Sequence, residues 1–94
     1  YLFILVVKAL RKYIRSGNVN PETARTRKSL GEVLKKHRTD RGMTQEFVAQ
    51  ALGISRQAVS KWENGTSEPT TTNLIALAKL FGVAPEDLLR EVQK

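Results

Sequence analysis

An all-α fold, five helices preceded by a basic N-terminal helical extension, is what this 94-residue sequence predicts, and three observations carry the prediction. Side chains recur at helical spacing: Leu30, Val33, Leu34 and His37 stand at i, i+3, i+4 and i+7, and Leu74, Leu77, Ala78 and Phe81 repeat the pattern. Ser, Thr or Asn stands where most of these stripes begin, and glycine where they stop. The composition, 40% hydrophobic with only three prolines, is that of an ordered globular chain. A chain this short buries only about 60–70% of its extended surface, which leaves room for one small domain and no large catalytic cleft.

The organisation divides at residue 28. In residues 1–28, Phe3, Val6, Val7, Leu10, Tyr13 and Ile14 share one helical face, and Gly17 supplies a stop. The run Phe3–Val7 also reads as a strand, because β-branched stretches of this length are ambiguous. The stripe is expected to pack on the neighbouring domain, with pairing to a second copy or a basic membrane-surface helix as alternatives. The chain opens on Tyr1 rather than Met, so its natural start is expected to be missing or processed. The apolar run Tyr1–Val7 is far short of the ~20 residues of a membrane span. Its cations, Lys8, Arg11, Lys12 and Arg15, follow it instead of preceding it, so no membrane association through a span and no export are expected. Asn20-Pro21-Glu22 then starts a short helix, while Ser29 followed by Glu32 is a capping-box pattern that would start a fresh one; both a continuous and a broken helix remain open.

Residues 29–94 form the core domain. Its first helix is expected over Ser29–Arg41, stopping at Gly42. Thr44 caps the second, which turns Val48, Ala49 and Leu52 inward and ends at Gly53; Ser55 caps the third, which runs to Asn64-Gly65. Two helices joined by a three-residue break containing Gly have helix-turn-helix spacing. After Thr66-Ser67-Glu68-Pro69 comes the fourth helix, closed by Gly82, and Pro85–Val92 forms the fifth, with Ala84 a poor cap.

The net charge of +7 directs attention to nucleic acid, but its distribution qualifies that reading. Seven of the sixteen cations fall in residues 1–28 against Glu22 alone, leaving that segment at +6 and residues 29–94 at +1. The extension should therefore strengthen binding to any duplex without reading its sequence. Zero cysteines exclude disulfides and thiolate sites, and the single histidine, His37, excludes a multi-histidine metal site and a Ser-His-Asp arrangement with a choice of base. His37, on the apolar stripe, reads as a packing residue. No paired carboxylates, Gly-rich phosphate loop, metal ligands or cofactor motif appear, so no enzyme, no cofactor and no small-molecule ligand are expected.

The third helix is the informative one. Val59 and Trp62 must point into the bundle, with Ile54 just before the cap, which leaves Arg56, Gln57, Ser60 and Lys61 on the other side. A major groove about 12 Å wide accepts one α-helix and is read by these side-chain types: Arg or Lys to guanine, Gln to adenine, Ser to either. Taken alone, this is also what a solvated helix face looks like.

Thr44-Gln45, Val48-Ala49, the run Leu52-Gly53-Ile54-Ser55-Arg56-Gln57-Ala58-Val59-Ser60-Lys61-Trp62-Glu63-Asn64-Gly65, Pro69 and Leu77-Ala78 together resemble the lambda-repressor and Cro-like helix-turn-helix family, also called the xenobiotic-response-element (XRE) family. The resemblance covers about residues 29–89. It implies a lambda-repressor-like five-helix DNA-binding domain acting as a sequence-specific transcriptional regulator, a repressor, in a bacterium or phage. It assigns base contacts to Arg56, Gln57, Ser60 and Lys61, and phosphate contacts to Thr44, Gln45, Ser55, Asn64 and Thr66. Asn64-Gly65-Thr66 matches a loop that offers backbone amides to phosphate, although Ser67-Glu68 stand here where cations are expected. Arg38 and Glu63 match an ion pair that joins the first and third helices. The implied partner is double-stranded DNA, a palindromic operator bound by a homodimer, and the implied place is the cytoplasm, in association with the nucleoid. A protein-interaction role, such as the antitoxin of a toxin–antitoxin pair, is the rival reading. Ile75 and Leu80 widen the apolar arc of the fourth helix beyond one face and are the expected dimer contacts.

Overall fold

The computed structural model describes residues 20–92. Within them five helices follow one another: α1 (Pro21–Asp40), α2 (Gln45–Leu52), α3 (Arg56–Asn64), α4 (Thr71–Phe81) and α5 (Pro85–Arg90). The Phe3–Ile14 stripe lies outside the described residues.

Local chemistry starts and stops each helix. Asn20 caps α1 by accepting a hydrogen bond from the Thr23 amide at 2.7 Å, with Pro21 in the first turn. Thr44, Ser55 and Thr70 do the same for α2, α3 and α4, accepting from the amides of Phe47, Ala58 and Asn73. Gly53, Gly65 and Gly82 close those three helices in the left-handed region, where a Cβ is costly. Ala84 makes no side-chain cap, and α5 is the shortest of these helices, ending at Arg90 and not at Val92.

One expectation is corrected at α1. The helix runs through Ser29 without interruption, so the Ser29–Glu32 pattern starts nothing, and the division at residue 28 falls inside one helix. Asn20 already provides the cap, and the first turns are held from outside. Arg27 Nε lies 3.6 Å from Glu68 Oε2 in the α3–α4 loop, and the Lys28 backbone packs on Gly65. Breaking and renucleating a helix so supported would lose hydrogen bonds for no gain.

The core is formed by Leu34, Val48, Ala49, Val59, Trp62, Leu77, Ala78, Phe81 and Leu88, drawn from all five helices. Leu30, Val33, Leu52, Ile54, Leu74 and Leu80 pack around it. α3 sits between α1 and α2, α4 packs on α2, and α5 packs on α4. The α1–α3 approach is close because Gly31 is buried in it: a Cβ there would run into the backbone carbonyl oxygens of Trp62 and Glu63. At the far end of α1, His37 stacks on Phe81 with centroids 5.6 Å apart and reaches Glu91 Oε2 at 2.7 Å. Arg41 donates from Nε to the Phe81 carbonyl at 2.7 Å, so α1 is tied to the ends of α4 and α5.

Candidate nucleic-acid interface

Packing divides α3 into two faces. Val59 and Trp62 are buried, whereas Arg56, Gln57, Lys61 and Asn64 are exposed and Ser60 is half-buried. A helix of 3.6 residues per turn can do this only if one stripe is anchored, and here the anchor is Trp62 at the α1–α3 contact.

Beneath the outer face runs a chain of polar contacts that begins in the interior. Arg38 on α1 grips Glu63 on α3 with two hydrogen bonds, Nε to Oε2 at 2.6 Å and Nη2 to Oε1 at 3.0 Å, and donates a third from Nη1 to the Met43 carbonyl at 2.8 Å. The two side chains are only 12% and 5% exposed, so the pair is largely withdrawn from solvent screening. Glu63 Oε1 also accepts from Gln45 Nε2 at 3.0 Å. Gln45 Oε1 in turn accepts from Arg56 Nη1 at 3.3 Å. Four side chains from three helices are thus linked, from a shielded carboxylate outward to an exposed guanidinium. Three of them, Arg38, Gln45 and Arg56, border an open cleft of about 370 Å³ that Met43, Thr44 and Glu46 also line.

The remaining residues singled out from the sequence fall around this line. Thr44 and Ser55 stand at the starts of α2 and α3; each accepts a capping hydrogen bond and keeps its own hydroxyl proton to donate. Asn64 and Thr66 lie together at the end of α3: Asn64 Oδ1 accepts from the Thr66 amide at 3.1 Å and from the Thr66 hydroxyl at 2.8 Å. The backbone amides of Gly65, Thr66 and Ser67 donate to the carbonyls of Trp62 and Lys61, at 3.3, 3.0 and 3.3 Å. Those amides take part in closing the helix at the loop that the resemblance assigns to phosphate. Ile75 and Leu80 are not equivalent: Ile75 is 41% exposed, while Leu80 is half-buried against the core. Phe47 and Leu89, 50% and 48% exposed, are the large apolar residues that sequence reasoning overlooked. Arg27 and Arg41 were also missed as structural residues, because their partners Glu68 and Phe81 are about forty residues away and no local pattern marks them.

A short helix braced from behind, preceded by a helix whose first turn faces the same side and separated from it by a three-residue turn, is a helix-turn-helix DNA-binding unit. A protein-family profile described as helix-turn-helix matches residues 34–88. The chain belongs to this family, in its XRE type, whose members are DNA-binding transcriptional regulators and not enzymes. It is 43% identical over 60 residues to the SPbeta prophage-derived HTH-type transcriptional regulator YonR of Bacillus subtilis, covering 64% of this chain and 56% of YonR. It is 43% identical over 61 residues to the HTH-type transcriptional regulator DicA of Escherichia coli, covering 65% of this chain and 45% of DicA. The chain therefore spans about half the length of these two relatives. Among solved structures, the clp gene regulator ClgR of Corynebacterium glutamicum superposes with a TM-score of 0.67 at 30% identity, covering 70% of each chain. The restriction-modification controller protein C.AhdI of Aeromonas hydrophila superposes with a TM-score of 0.62 at 29% identity, covering 66% of this chain and 94% of that one. Among the described residues no helix is long and apolar enough to cross a membrane.

Proposed function

We propose that this chain represses transcription by binding a specific double-stranded DNA site with α3 in the major groove. The observation that carries the reading is the link from the shielded Arg38–Glu63 pair through Gln45 to Arg56, which holds an exposed cation in place at the start of α3. A side chain ordered before binding loses less entropy when it meets a base edge. Arg56 and Gln57 read bases at the helix start, with Ser60 and Lys61 further along. Thr44, Gln45, Ser55 and Asn64 contact phosphates; Thr66 acts mainly by orienting Asn64, since its hydroxyl proton is already engaged. Occupying a promoter in this way blocks it without any further surface, and the reading places the chain with the nucleoid. Two copies bind a palindrome with half-sites about one helical turn, ~34 Å, apart. The exposed Ile75 and Leu89 support that pairing better than Leu80 does.

Selection of bound duplexes from a random pool tests the central claim. Arg56→Ala or Gln57→Ala should weaken binding to the selected site by ~1–3 kcal/mol and relax preference at particular base pairs. Equal weakening on every sequence, with an unchanged preference profile, would move these residues to phosphate or surface roles.

A further inference from the structure

We propose that α1 supplies a second DNA-backbone contact, made by Lys28 and Lys35 and continuous with the outer face of α3; this rests on the reading that α3 meets DNA. α1 touches α3 along one stripe, where Gly31 abuts the carbonyls of Trp62 and Glu63 and Arg38, seven residues on, grips Glu63. Residues seven apart share a helical face. Leu30 and Leu34 flank that stripe on the core side. Lys28 and Lys35, again seven apart, flank it on the opposite side, and both are exposed. Since α3 turns Val59 and Trp62 toward the core and Gln57, Lys61 and Asn64 away from it, the two lysines extend the outward face sideways.

Lys28 is located directly. Its Cα and Cβ lie 3.0 and 3.4 Å from where a Cβ on Gly65 would sit, so its side chain departs from the corner at which α3 ends. That corner lacks cations of its own, because the loop reads Thr66-Ser67-Glu68. The acid that would repel a phosphate there, Glu68, is faced by Arg27 at 3.6 Å. Glu32 lies four residues after Lys28, yet among the described residues neither lysine is held in an ion pair. The cations that the loop omits are thus supplied by the neighbouring helix, fixed in register by the Gly65 and Gly31 contacts.

The test uses the full chain, a duplex that the wild type selects from a random pool, and a scrambled duplex of the same composition, with fluorescence anisotropy across a salt series. Each phosphate contact contributes about 0.9 to the slope of log affinity against log salt, so Lys28→Gln with Lys35→Gln should flatten the slope by roughly 1 to 2. Affinity for both duplexes should fall by a similar factor, and the selected motif should stay the same. Lys79→Gln, an exposed cation on α4, serves as the control and should leave the slope unaltered. A double variant with the wild-type slope overturns the proposal, as does equal flattening by Lys79→Gln or a changed motif. If the wild type selects a motif and only the slope prediction fails, the α3 reading survives; if the wild type selects none, both fall.

Discussion

Glu63 is the residue on which the interface geometry turns, because one carboxylate serves a cation behind it and an amide in front of it. Its Oε2 and Oε1 satisfy Arg38, and Oε1 also positions Gln45. Removing it would strand a guanidinium that is 12% exposed, and breaking such a pair from one side costs about 3–5 kcal/mol. Glu63→Ala should therefore lower the urea midpoint by that amount of stability at unchanged m-value, whereas Glu63→Gln, which keeps an acceptor for one of the donors, should lose less. Equal loss in both variants would show that charge, and not hydrogen bonding to Gln45 and Arg38, is what Glu63 contributes. The XRE-type pattern marked Arg38 and Glu63 as a pair and Gln45 as a brace of the recognition helix, but the partners that Gln45 takes there, Glu63 and Arg56, depend on side chains meeting across the helix-turn-helix angle and were not legible in the sequence.

Among the elements, α5 is the least secured at its start. Each of the other four described helices has a side chain accepting from its first turn, whereas Ala84 offers none to the first-turn amides of α5. Its backbone at φ −73°, ψ 143° already has the extended conformation of an N-cap. Ala84→Asp should stabilise the domain by about 0.5–2 kcal/mol by accepting from the first turn and facing the positive helix end. Thermal unfolding followed by circular dichroism reads this as a higher Tm; no rise would mean that Glu86 and Asp87 already compensate the helix end. The poor cap was visible in the sequence because capping depends on neighbours within four residues. The continuity of α1 was not, because the sequence offered two local starts, Asn20 and Ser29, and contacts from Gly65 and Glu68 decided between them.

At the level of the whole molecule, exposed apolar surface indicates where two copies would meet. Phe47, Ile75 and Leu89 are the large apolar side chains left exposed among the described residues, and Ile75 and Leu89 belong to the packed pair α4 and α5. Ile75→Glu with Leu89→Glu should shift the solution mass toward monomer and weaken binding to the selected palindrome, with the helical signal retained. Because Leu80 packs against the core, Leu80→Glu should unfold the domain instead, by placing a charge there without a partner. An Ile75→Glu, Leu89→Glu double variant that stays dimeric and binds normally would exclude this face as the interface; analytical ultracentrifugation makes the distinction.

The presence and order of five helices, the caps Thr44 and Ser55, the glycine stops, and the inward and outward sides of α3 follow from the sequence alone, since each depends on periodicity and on residues within one turn. Tertiary structure decided the rest. It made Pro21–Asp40 one helix, engaged the Gly65–Ser67 amides in closing α3, separated the half-buried Leu80 from the exposed Ile75, and brought Lys28 to the corner of the recognition helix. Each of these outcomes is set by what packs or bonds in three dimensions, and helical periodicity tells which face a residue occupies but not what will lie against it.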